Sequence, residues 1–103
     1  MVDVLKSEEL RDLIASNGLV VVDFWAQWCG PCRMLTGVLE DVEKAMEGVQ
    51  FVKVNVDSAP DIATEYGIQT LPTIIVFKGG TEAEVKAGFM SANSLKTLIN
   101  GCK

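Results

Sequence analysis

Polar positions along this chain fall in two rhythms. Between Leu19 and Trp25 (LVVVDFW) they almost vanish, leaving a run too continuously apolar for a strand with one wet face. It reads as a central strand covered by helices on both sides. From Cys32 the rhythm becomes helical: Leu35, Val38, Leu39, Val42 and Met46 form one stripe, with Glu40, Glu43 and Lys44 off it. Gly48 closes that helix. Upstream, Val2–Leu5 is a short strand, and Ser7 is placed to cap a helix with Glu8 and Glu9 in its first turn. Leu10, Leu13 and Ile14 share a face of it, and Asn17-Gly18 ends it through their tolerance of left-handed backbone.

Downstream, Gln50–Val56 is a strand interrupted only by Lys53 and Asn55. Asp57 or Ser58 caps a short helix with Pro60 in its first turn, and Gly67 stops it. Thr73–Phe77 and Thr81–Ala87 are strands joined by Gly79-Gly80, which is a hairpin pattern. Ser91 caps a last helix whose apolar positions are Leu95, Leu98, Ile99 and Cys102. The order β-α-β-α-β-α-β-β-α implies a mixed sheet sandwiched between helices, a three-layer α/β/α domain spanning residues 1–103.

Composition narrows the function. The chain has 103 residues, enough for one packed core, and 49% of them are hydrophobic. Fourteen acids against nine bases give a net charge of −5, which disfavours nucleic acid as a partner. No apolar run reaches membrane-spanning length, and MVDVLKSEEL lacks the pattern of a secretory leader. The expected location is therefore the cytoplasm, where a CxxC is catalytic or metal-binding more often than structural. With no histidine and only Cys29, Cys32 and Cys102, the chain alone cannot assemble a four-ligand zinc site. No cofactor is implied.

Redox chemistry has the stronger claim on Cys29 and Cys32. A dithiol catalyst needs one accessible thiol held as thiolate, and a helix N-terminus stabilises that charge with unpaired N–H groups. Cys29 precedes the helix and Cys32 lies in its first turn, so Cys29 is the expected attacker and Cys32 the resolving thiol. Pro31 suits the first helical turn, and Gly30 lets a partner backbone approach. Asp23 lies on the same strand face as Val21 and Trp25, where apolar surroundings would raise its pKa. It is either a general base for Cys32 or a structural acid at a strand end. Lys53 is either its charge partner or a lysine extending its stem along the sheet. Cys102, in step with Leu95 and Ile99, is expected to pack inside the core.

The segment Trp25-Ala26-Gln27-Trp28-Cys29-Gly30-Pro31-Cys32 resembles the active-site signature of the thioredoxin family. Asp23, Lys53 in KVNVD, Tyr66-Gly67-Ile68, Leu71-Pro72-Thr73, Phe77-Lys78-Gly79 and Gly88 fit the family pattern in order. The resemblance implies the thioredoxin fold, a four-to-five-stranded mixed sheet with four helices, and activity as a protein-disulfide reductase. It also implies a Cys29–Cys32 redox disulfide and a cis peptide at Pro72, a bond that sequence alone would read as trans. Trp28, Gly30, Pro31, Leu71, Pro72, Gly88 and Phe89 would form the face that docks disulfide-containing proteins. An NADPH-linked thioredoxin reductase would recycle the protein, acting as a monomer. One position departs from the pattern: Gly37 stands where many relatives carry a helix-kinking proline.

Three other readings compete. An oxidase or isomerase is disfavoured by Gly-Pro between the cysteines. A binding module would not need Asp23 and Pro72 beside an intact dithiol. Paired CxxC motifs from two chains holding a metal are physically possible but weakly supported.

Overall fold

Strand β2 (Leu19–Trp25) is buried along almost its whole length and forms the centre of a five-stranded sheet. The computed structural model describes residues 1–103. The elements run β1 (Val2–Asp3), α1 (Ser7–Ser16), β2, α2 (Gly30–Ala45), β3 (Gln50–Asn55), α3 (Pro60–Glu65), β4 (Thr73–Lys78), β5 (Thr81–Ala87) and α4 (Ala92–Gly101). The order expected from the sequence is the order observed. Across the sheet the strands lie β1-β3-β2-β4-β5, with β3 parallel to β1 and β2, and β4 antiparallel to β2 and β5.

Successive side chains of a strand point to opposite faces, so the apolar run of β2 feeds two cores at once. Val20, Val22 and Phe24 join Val52, Val54, Ile75 and Phe77 under α1 and α3, which contribute Leu10, Ile14 and Ile62. Leu19 and Val21 join Phe51, Ile74 and Val76 under α2 and α4, which contribute Leu35, Leu39, Val42, Leu95 and Ile99. Cys102 belongs to this second cluster, as its spacing implied. The hairpin turns through Gly79 and Gly80 at φ 58° and 86°, the two left-handed positions that a two-residue turn requires. Strand β5 is exposed throughout, with Glu82, Glu84 and Lys86 along its free edge, a composition that discourages edge-to-edge pairing.

Local details correct several expectations. Strand β1 stops at Asp3 rather than Leu5, and Val4 turns into the core. Lys6, not Ser7, is the N-cap of α1, because the Ser7 hydroxyl is engaged with the Glu65 carboxylate and accepts from Arg11. Helix α1 ends with Asn17 extended at φ −120°, its amide donating to the Leu13 carbonyl at 2.8 Å; no left-handed residue is used there. Helix α2 ends at Ala45 with Met46 as its C-cap, and the left-handed Gly48 follows in the turn. Strand β3 ends at Asn55, one residue before Val56. The N-cap of α3 is Ala59. The Asn55 side chain instead accepts from the Asp57 and Ser58 amides, at 2.9 and 3.3 Å, and shapes the turn before it. Pro60 opens α3 and Ser91 caps α4 as expected. Helix α2 runs as one element through Gly37.

Candidate functional site

Parallel strands β2 and β3 end at the same edge of the sheet, and the dithiol sits just beyond it. Open α/β sheets bind ligands beyond such carboxyl ends. Cys29 is the N-cap of α2 and Pro31 lies in its first turn, so the strand-to-helix step fixes both cysteines. The Cys29 sulfur accepts the Cys32 amide at 3.2 Å, one of the donors that a helix start leaves unpaired. No acid occupies the first turn of α2, so nothing there opposes negative charge on the Cys29 sulfur. The pair forms a disulfide with a Cα–Cα distance of 5.2 Å. Cys29 is 7% exposed and Cys32 is sealed at 0%, so of the two only Cys29 reaches the surface. Ala26, Leu71, Val56 and Trp25 pack around the two.

Asp23 is fully buried, and neither carboxyl oxygen has a hydrogen-bond partner. Burial pushes its pKa up from 3.8 to about 7, against the pull of the Lys53 ammonium and a smaller one from the Thr36 hydroxyl. That hydroxyl donates instead to the Cys32 carbonyl at 3.0 Å, one helical turn back. The turn of α2 carrying Cys32 therefore lies over the strand face carrying Asp23. Lys53 is the direct register partner of Asp23 on the adjacent parallel strand. Its ammonium lies 5.5 Å from the centroid of the Trp25 ring and 3.9 Å from an Asp3 carboxylate oxygen. The Trp25 indole N–H is also buried without a partner.

The remaining predicted residues gather at the same end. The Leu71–Pro72 peptide is cis, as the resemblance implied. The Gly88 amide donates to the Pro72 carbonyl at 2.8 Å, which ties the end of β5 to the loop before β4. Gly88 has φ 92°, a backbone position that strains any residue with a Cβ. Pro72 itself is buried. Pro31 is exposed, Gly30 partly so, and Phe89 presents an exposed ring. Trp28 is 70% exposed, with its indole N–H fixed by the Asp57 carboxylate at 2.8 Å.

Sequence reasoning missed one side of this surface. Trp28 and Leu71 also line a groove of about 640 Å³ whose other wall is Val56, Pro60, Ala63, Thr64, Ile68, Gln69 and Thr70. Asp57, which anchors Trp28, was read only as a helix cap. The available signal was positional: residues 56–64 follow the end of β3 and residues 68–71 precede β4, both beside the end of β2 that delivers the cysteines.

The thioredoxin family's sequence profile matches residues 1–101. The chain belongs to the thioredoxin family. A thioredoxin of Chlamydia caviae is 46% identical over 100 residues, covering 97% of each chain. One from Rickettsia felis is 42% identical over 99 residues, covering 95% of this chain and 94% of that one. Among solved structures, Fasciola hepatica thioredoxin superposes with a TM-score of 0.93 at 35% identity over the full length of both. Oxidised mitochondrial thioredoxin 3 of Saccharomyces cerevisiae gives 0.91 at 35% identity, covering 98% of this chain and 94% of that one. As a thioredoxin-family member with its cysteine pair at disulfide distance, the protein is a thiol–disulfide oxidoreductase, as its sequence implied.

Proposed function

We propose that residues 1–103 act as a single-domain, monomeric, cytoplasmic reductant of protein disulfides, with Cys29 as nucleophile, Cys32 as resolving thiol and Asp23 as the base for Cys32. In the reduced protein the Cys29 thiolate attacks one sulfur of a target disulfide. A mixed disulfide forms, and the other target sulfur leaves as thiolate. Cys32 passes its proton to Asp23 and attacks the Cys29 sulfur. The second target sulfur leaves as thiolate, and the Cys29–Cys32 bond closes. Two electrons have moved from the dithiol to the target. A carboxyl whose pKa lies near 7 accepts a proton at neutral pH without being permanently ionised.

The observation that carries this assignment is the N-cap position of Cys29, its sulfur accepting a helix-start amide, with Cys29 7% exposed while Cys32 is sealed. The exposed Trp28 and Phe89 with Pro31, Gly30, Leu71 and Gly88 supply an apolar docking face, on which cis-Pro72 offers backbone for a substrate strand. Recycling by an NADPH-linked thioredoxin reductase returns the disulfide to dithiol. One similar structure concerns thiol resolution in a yeast mitochondrial peroxiredoxin through glutathione and thioredoxin systems, which supports protein disulfides as the substrate class.

The test is NADPH-coupled reduction of a protein disulfide in the presence of thioredoxin reductase. Wild type should turn over, Cys29→Ser should not, and Cys32→Ser should accumulate a stable mixed disulfide. Turnover by Cys29→Ser would overturn the assignment of roles.

A further inference from the structure

Three charged residues stand in one row across three neighbouring strands, acid–base–acid. Asp3 on β1 is the register partner of Lys53 on β3, and Lys53 is the register partner of Asp23 on β2. Strand neighbours are ~4.8 Å apart, so the two acids flank the lysine from opposite sides at similar backbone separation. Their environments differ sharply. The Asp3 side chain is 67% exposed, at the sheet's edge, whereas Asp23 is sealed.

The ammonium forms an ion pair with only one of the two acids, Asp3. It lies 3.9 Å from Asp3 Oδ1 and 5.5 Å from the centre of the Trp25 ring, while both Asp23 oxygens are left without a partner. The other groups around the row do not compete for it. Against Asp23, α2 places Cys32 and the Thr36 hydroxyl, which donates to the Cys32 carbonyl, and β4 places apolar Ile74. Glu43 of α2 is held by the N-terminal ammonium at 2.9 Å.

We propose that Asp3 is a positioning residue that draws the Lys53 ammonium toward the sheet edge and so keeps the Asp23 carboxyl free of an ion pair, able to take up the Cys32 proton at neutral pH. The physical logic is competition for one cation. A lysine shared with an exposed acid is a weaker partner for the buried one. Removing Asp3 both deletes a negative charge and frees the stem of Lys53 to swing inward. Both effects favour ionised Asp23, which lowers its pKa and weakens it as a base. The inference rests on the reading of Asp23 as base for its functional meaning, but not for its measurement.

The experiment follows the Asp23 side-chain carboxyl by ¹³C NMR as a function of pH in the reduced protein. Wild type and Asp3→Asn are compared, each also in a Lys53→Met background, together with the pH profile of mixed-disulfide resolution. Asp3→Asn should lower the Asp23 midpoint by roughly 0.3–0.5 pH unit, the scale of one exposed ion pair, and change resolution near neutrality by about two- to threefold. In the Lys53→Met background the same substitution should shift the midpoint by less than half as much. An unmoved midpoint in Asp3→Asn overturns the proposal. An equal shift in both backgrounds also overturns it, because Asp3 would then act through its own charge and not through Lys53. If Asp23→Asn leaves resolution unaltered, the base assignment fails, while the titration still reports whether Asp3 positions Lys53.

Discussion

Replacing Asp23 with Asn should make the folded protein more stable, and only on the alkaline side. The carboxyl is fully buried and its pKa is raised from 3.8 to about 7, chiefly by loss of hydration. A raised acid binds its proton more tightly folded than unfolded. Below about pH 3.8 both states are protonated and the residue costs nothing through ionisation. As pH rises the unfolded chain releases the proton freely, while the folded chain must hold it or bury a charge. Stability is therefore lost progressively from about pH 4 and the loss is complete above about pH 7. At 1.36 kcal/mol per unit, the full penalty is at most about 4 kcal/mol. Asn matches the neutral acid in size and never ionises. Urea denaturation of the oxidised forms from pH 3.5 to 8.5 should show wild type and Asp23→Asn nearly equal at the acid end. The variant should lead by several kcal/mol at the alkaline end, and it should resolve mixed disulfides more slowly. Subtracting one protein from the other cancels the remaining carboxylates. A gap independent of pH, or one that widens toward acid, would refute the reasoning.

Three further outcomes follow from individual side chains. Cys102 is buried against the second core, and burial, with Glu84 adding to it and Lys78 opposing, pushes its thiol pKa up. A thiol reagent added to the native reduced protein should therefore modify Cys29 well before Cys102, as peptide mapping by mass spectrometry can show. Gly37 is exposed inside α2, and a Cβ added there meets no neighbour. Gly37→Ala should raise stability by up to ~1 kcal/mol in denaturant melts, and a loss would show that this helix needs glycine's freedom. Trp28 is mostly exposed and held by one hydrogen bond to Asp57. Trp28→Ala should cost roughly 1 kcal/mol or less in stability, yet raise KM for a protein disulfide more than it lowers kcat.

The elements were legible because their signals are long and agree with the core. Six apolar residues around a single acid in β2 and an apolar stripe running along α2 to its C-cap Met46 leave few alternatives. The helix starts were less legible, because a capping side chain is a short-range signal that a tertiary partner can claim. Ser7 went to Glu65 on α3, and Asn55 captured the turn that Asp57 or Ser58 was expected to control. In the site, the candidate residues announced themselves by their chemistry: two thiols at a helix start and an acid inside an apolar strand. The groove wall did not, since Ala63, Thr64, Ile68 and Gln69 carry no group whose chemistry marks them and gain meaning only by lying beside Trp28. Asp3 was silent for the same reason. An exposed acid near a terminus looks ordinary until strand register sets it against Lys53.

Register is also what joins the chemistry to the fold. Because side chains alternate along β2, Asp23 shares the face of Leu19 and Val21, which α2 covers. A slip of one residue against β3 and β4 would bring Asp23 to the face of Val20, Val22 and Phe24, beneath α1 and α3, where no cysteine lies. The same slip would exchange the β2 side chains between the two cores and move the acid out of register with Lys53. The observed register therefore sets the acid on the α2 side in line with Lys53, while its apolar neighbours on β2 enter both layers. A slipped register would bury the same acid on the other face, away from Lys53 and the cysteines, so moving it would not remove its cost above neutral pH. Two apolar cores of twelve buried residues each surround the strand that carries this unpaired acid.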